Sequence, residues 1–239
     1  MRPMKVVHAV TIALAATVLV STVNARQGDP DRVVPGGGIT GAGWMGNVID
    51  AGSLKQGRSI NDSKFVASGD TIDINAGPNG IYWNSAHMAN GDFTVKATFM
   101  ETNHLKHSNH PHPYGVFIGG ANLNTEKANL LYCAAYGNGS FIFRGFAPDG
   151  TNGVFRLGGN RPIANEAIRK VGPEGSVTQE IGISVSGGNV SCMVNGTTVA
   201  THPVSDVVGA GKLASTDGLV GLRIGHNLDV KVTGFAVTK

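Results

Sequence analysis

Hydrophobic and polar positions alternate along most of this chain in short runs separated by turn residues. In DFTVKATFM, Phe93, Val95, Ala97 and Phe99 share one face and Thr94, Lys96 and Thr98 the other. That period of two belongs to a half-buried β-strand. YGVFIGG, NLLYCAAY, SFIFRGF, EIGISVSG, NVSCMVNG, TTVATHP, LVGLRIG and LDVKVTGFAVT follow at short intervals. Between them stand Asn90-Gly91, Gly137-Asn138-Gly139, Gly187-Gly188-Asn189 and Asn195-Gly196, residues that accept the positive φ of tight hairpin turns. YGVFIGG and NLLYCAAY are apolar on both faces, as inner strands of covered sheets are. The one helical candidate lies around PIANEAIRK. The pattern predicts an all-β jelly-roll sandwich of two antiparallel sheets, a single domain over residues 41–239.

The N-terminal region reads differently. Arg2 and Lys5 precede an apolar run from Ala9 to Val20 and the small-residue site Val23-Asn24-Ala25. This is the order of a signal peptide over residues 1–25, its apolar run too short to span a bilayer. It predicts cleavage near Ala25 and a secreted or periplasmic protein. Neither cysteine is near that site, so no lipid anchor is expected. Residues 26–40, RQGDPDRVVPGGGIT, mix Pro, Gly and charge without periodicity and predict a flexible N-terminal arm.

Composition adds two constraints. Loss of Arg2 and Lys5 with residues 1–25 lowers the formal net charge from +3 to +1, which leaves no electrostatic footprint for nucleic acid or anionic lipid. In an oxidising compartment, Cys133 and Cys192 favour a disulfide. Cys133 shares a face with Leu131 and Ala135, and Cys192 with Val190 and Val194. Both therefore point inward, and the alternative is a pair of buried thiols rather than a nucleophile.

Four segments, NGDFTVKATF, PYGVFIGG, QEIGISVSGGNVSCMVNGTTVA and GLVGLRIGHNLDVKVTGFAVT, together resemble the concanavalin A-like (laminin-G-like) jelly roll. They are most similar to the 3-keto-disaccharide hydrolase-type domains of exported bacterial proteins. The resemblance runs from about Asp92 to Lys239, with Trp44 and GIYWN as first-sheet elements. It implies a groove for an extended sugar-like ligand. It also implies, as one alternative, a glycosidase with Glu101 and the clustered histidines as acid–base groups. Hydrolases of the group close on a Gly-Leu-Gln and His-Gly pattern. This chain has GLRIGHNL there, with His226 loosely in register.

Chemistry-bearing residues are few. Glycoside hydrolysis needs two facing carboxylates, and TIDIN offers only Asp73, read as an outward residue between inward Ile72 and Ile74. Glu101, three residues before His104, is the one suggestive catalytic carboxylate, with a solvated strand end as its other reading. HLKHSNHPHPYG carries His104, His107, His110 and His112, four of the chain's eight histidines. Pro111 and Pro113 exclude a metal-binding pair one helical turn apart. An extended backbone aligns His110 with His112, and polyproline II aligns His104, His107 and His110. Either can offer imidazoles to an ion, but no ordering partner is visible, so no metal and no cofactor is assigned. Rings and polar groups suited to a sugar are Tyr82, Trp83, His104, His110, His112, Tyr114 and Arg144. For Trp83 the sandwich core is the other reading, and for Arg144 an exposed position with a buried stem.

The sequence thus predicts an exported protein that binds a carbohydrate or similar polar ligand in a groove beside the His104–Tyr114 loop. The alternatives are the glycosidase and a non-catalytic structural or interaction protein.

Overall fold

The computed structural model describes residues 29–147 and 153–239. The expected signal peptide and the start of the expected arm lie outside the described residues. The first strands are β1 (Gly38–Thr40), β2 (Trp44–Val48), β3 (Lys64–Ser68), β4 (Thr71–Asn75), β5 (Gly80–Ala89), β6 (Phe93–Thr102), β7 (Tyr114–Ala121) and β8 (Asn129–Tyr136). They are followed by β9 (Ser140–Phe146), β10 (Val154–Leu157), β11 (Ile163–Ala164), β12 (Val177–Ser186), β13 (Asn189–Val194), β14 (Thr197–Pro203), β15 (Gly218–Ile224) and β16 (Asp229–Thr238).

One sheet runs β1-β3-β4-β16-β6-β12-β13-β14. The other runs β10-β9-β8-β7-β15-β5-β2, with β11 beside β9. Every strand pair is antiparallel except β1 with β3. The architecture is the two-sheet jelly roll that the alternating pattern predicts.

The pleat follows the alternation closely. Along β6, Phe93, Val95, Ala97 and Phe99 are buried, and the same period carries Glu101 into the interior as well. Along β4, Ile72 and Ile74 point inward and Asp73 outward, as expected. Between the sheets lie Phe65, Tyr82, Phe99, Tyr114, Phe141 and Phe143. A second apolar layer, with Trp83, Phe117, Leu130, Tyr132 and Ile142, packs with Leu123 and Ile49 on the other face of the second sheet. This explains why β7 and β8 are apolar on both sides. Cys133 in β8 and Cys192 in β13 form a disulfide that ties one sheet to the other.

Two expectations fail. PIANEAIRK is not a helix: Ile163 and Ala164 pair with β9, a turn follows at Glu166 and Ala167, and Lys170 bridges to Asn138. Ile163 and Ala164 are exposed and only Ile168 is buried, so the stretch has no apolar stripe to hold a helix on the core. Residues 29–40 are not a free arm. β1 pairs with β3, and Arg32 bonds to Ala76 and Leu228 carbonyls at 2.8 and 3.0 Å. The charges that made this segment look solvated are the groups that dock it.

Three crossovers sit side by side at one end of the sandwich. β4 adjoins β16 and β16 adjoins β6 in the first sheet, while β5 adjoins β15 and β15 adjoins β7 in the second. The links 76–79, 103–113 and 225–228 must therefore run together. Gly225 N donates to Pro113 O at 2.7 Å and Asn227 N to Gly77 O at 2.9 Å. Residues 29–32 lie across this end, with Arg32 N donating to Asn227 Oδ1 and Asn227 Nδ2 to Pro30 O.

Candidate functional site

The histidine stretch is the middle of these crossovers, and its four imidazoles separate into three settings. His104 turns inward to Glu101, with Nδ1 and Oε1 2.5 Å apart. His107 Nε2 lies 3.2 Å from Asp229 Oδ2. His110 and His112 meet His226 and Asp29. His112 Nε2 is 3.2 Å from Asp29 Oδ2, and His110 Nδ1 is 3.6 Å from the same oxygen. Ser108 Oγ donates to Asp29 and lies 2.7 Å from His112 Nε2.

The electrostatics follow from burial and these partners. Burial, reinforced by His226, pushes His112 down to about 4, so it is neutral at pH 7. Burial works to raise Asp29, but the hydrogen bonds from Ser108 and His112 leave it below the usual carboxylate range. Asp29, His110, His112 and His226 each present one ligand atom, and these atoms all lie within 4.8 Å of one another. They are the residues of this end that can hold an ion. His104 and His107, grouped with them by sequence, are committed elsewhere.

Glu101 is fully buried, not a solvated strand end. Burial raises its pKa, opposed by the hydrogen bond and charge of His104. The pair is roofed by Gly137, where a Cβ would fall 2.5 Å from Glu101 Oε2, 2.7 Å from Val171 Cγ2 and 2.9 Å from His104 Nδ1. The carboxylate is thus closed off from solvent and held by His104. Gly137→Ala is expected to cost about 2 kcal/mol, the range of an overpacked core, measured by urea unfolding. A neutral outcome would show that the roof yields.

The rings nominated for sugar contact are also interior. Tyr82 stacks on Phe65 with centroids 4.9 Å apart, and Tyr114 packs against Phe99 at 5.7 Å. Both side chains are fully buried, and burial raises Tyr82 to about 12. Trp83 is 3% exposed in the second apolar layer. None of the three has a face to offer a ligand. Arg144, on β9 opposite Tyr132, donates to Asn160 O at 2.9 Å and belongs to another part of the molecule from the histidine loop.

A different cleft has the chemistry those rings lack. Trp44, His87 and Phe235 form its wall, with Trp44 and His87 centroids 5.6 Å apart and His87 and Phe235 5.2 Å apart. Asp70 and Asn84 line it too, and its volume is about 270 Å³. All three rings are half-buried. Burial lowers the His87 pKa, so the ring is neutral, and its buried Nδ1 has no hydrogen-bond partner. Because Asp70 sits in the β3–β4 turn and Phe235 late in β16, this cleft lies toward the other ends of the strands that carry the histidine crossovers. Sequence reasoning missed it because its residues come from four separate strands and turns. The signals available were Trp44 and, in GIYWNSAH, His87.

The chain is a jelly-roll β-sandwich of two mostly antiparallel sheets. No protein-family model matches it and no curated protein matches it in sequence. Among solved structures, the carbohydrate binding module CBM66 from Bacillus subtilis superposes with a TM-score of 0.53 at 9% identity, over 84% of this chain and 97% of that one. At that identity the likeness shows the fold alone. The Emp46p carbohydrate recognition domain superposes at 0.49 with 10% identity, over 82% of this chain and 88% of that one. Sheep galectin-11 gives 0.41 with 12% identity, over 63% and 92%. Nothing rests on these looser matches. Among the described residues, no helix is long and apolar enough to cross a membrane.

Proposed function

We propose that this is an exported carbohydrate-binding protein and that the Trp44–His87–Phe235 cleft holds the sugar. The observation that carries this reading is a wall of half-buried rings beside a carboxylate and an amide. Sugar rings present C–H faces that pack on aromatic surfaces, while their hydroxyls need donors and acceptors at the rim. His87, Asp70 and Asn84 supply those groups. A cleft of about 270 Å³ is at the small end for ligand sites, roughly 300 Å³ upward, which suits one or two sugar units at a chain end. The superposition on a carbohydrate-binding module agrees with this reading, and the inter-sheet disulfide agrees with an oxidising compartment. Burial of Glu101 counts against the glycosidase alternative.

The test is a glycan-array screen followed by calorimetry on the best oligosaccharide. Trp44→Ala and Asp70→Ala are each expected to weaken binding about tenfold, as loss of a central contact does. Asp70 is exposed, so its variant reports on the cleft without disturbing the fold. Wild-type affinity in both variants would place the sugar elsewhere, and an empty array would end the carbohydrate reading.

A further inference from the structure

We propose that Asp29, His110, His112 and His226 form a binding site for a divalent transition-metal ion of the Zn²⁺ type. Three imidazoles converge here beside the Asp29 carboxylate. The His112 and His226 rings are 3.8 Å apart between centroids, and His110 and His112 are 4.3 Å apart. Each ring has a second nitrogen beyond its hydrogen-bonded one, and a single cation at their centre can engage all three.

The ligand atoms, all within 4.8 Å of one another, stand at most about 1.5 Å wider than the ~3.3 Å edges of a tetrahedral Zn²⁺ shell with bonds near 2.0–2.2 Å. Small side-chain rotations close that gap. Imidazole with one carboxylate is a donor set that suits Zn²⁺ and its first-row neighbours rather than Ca²⁺ or Mg²⁺.

A second observation points the same way. His226 Nδ1 lies 2.6 Å from Asp31 Oδ1, and Asp31 is 4% exposed with Oδ2 unpartnered. A buried carboxylate behind a histidine fixes the ring and leaves Nε2 free to ligate, the usual arrangement around a bound metal. Likewise, Asn109 Oδ1 lies 2.6 Å from His110 Nδ1. Pro111 and Pro113 stiffen the backbone that carries His110 and His112. With four protein ligands the shell is closed, which makes the ion a staple rather than a catalyst. It fastens the segment carrying Asp29 to the 103–113 and 225–228 crossovers.

The test uses protein purified without an affinity tag, stripped with chelator, then titrated with Zn²⁺ by calorimetry and with Co²⁺ by visible absorbance. About one equivalent should bind, with a tetrahedral Co²⁺ spectrum and a raised Tm. The His110 side chain is 56% exposed, so His110→Ala should fold normally and bind at least tenfold more weakly. Asp31→Asn should weaken binding about 10- to 100-fold through His226. Less than about half an equivalent bound, or unchanged affinity in both His110→Ala and His226→Gln, overturns the site.

Discussion

Replacing Cys133 and Cys192 together by Ala is expected to destabilise the protein by about 4 kcal/mol. The two cysteines are 59 residues apart in sequence, and the chain-entropy model gives that figure for a loop of this length. In a chain of this size it corresponds to a fall in Tm of roughly 10 °C. Both side chains are buried, so Ala preserves the apolar environment while removing the link. Thermal unfolding of the double variant beside the wild type, both without reductant, measures the difference. A loss under about 1 kcal/mol would mean that sheet pairing already restricts this loop in the unfolded chain.

The second large effect is expected at Asp229. Its Oδ1 accepts from Arg32 Nη2 at 2.5 Å and Asn75 Nδ2 at 2.8 Å. Its Oδ2 accepts from Asn103 Nδ2 at 3.0 Å and lies 3.2 Å from His107. One carboxylate thus joins the N-terminal segment, β4, the histidine crossover and β16. Asp229→Asn keeps the shape but leaves the Arg32 guanidinium, 21% exposed, without its counter-charge. The expected cost is about 3 kcal/mol, at the lower end for breaking a buried pair because Arg32 retains some solvent. Faster proteolysis within residues 29–40 should accompany it.

The pH dependence has a definite sign. Burial alone would raise the Asp229 pKa, but the hydrogen bonds from Arg32, Asn75 and Asn103 and the Arg32 charge hold it at about 2, below the ordinary 3.8. Its stabilisation is therefore complete above pH ~4 and lost as pH falls through ~2. In urea titrations across that window the wild type should lose more stability than Asp229→Asn. Equal acid slopes would show that this carboxylate is not the group responsible.

These residues show where local sequence suffices and where it does not. The period of two placed Phe93 to Phe99, Ile72, Ile74 and both cysteines on the correct faces, because each obeys the pleat of its own strand. The same period, continued one step, places Glu101 inside, yet its charge suggested solvent. The docking of residues 29–40 had no such signal, since Asp31 and Arg32 meet partners nearly two hundred residues away and Asp29 meets Ser108 and His112, 79 and 83 away. Tyr82, Trp83 and Tyr114 looked suited to a sugar by residue type. Only the stacking of two sheets, with a second apolar layer behind, shows that their faces are already covered.

The place of β16 has a consequence for biosynthesis. The most C-terminal of the described strands is not an edge but the seam of its sheet, pairing with β4 on one side and β6 on the other. Until it emerges, β1, β3 and β4 have no hydrogen-bonded path to β6, β12, β13 and β14. Arg32, among the first described residues, also waits 197 positions for Asp229. Long-range closure of this kind is slow. Two half-sheets therefore stay open until β16 zips them together.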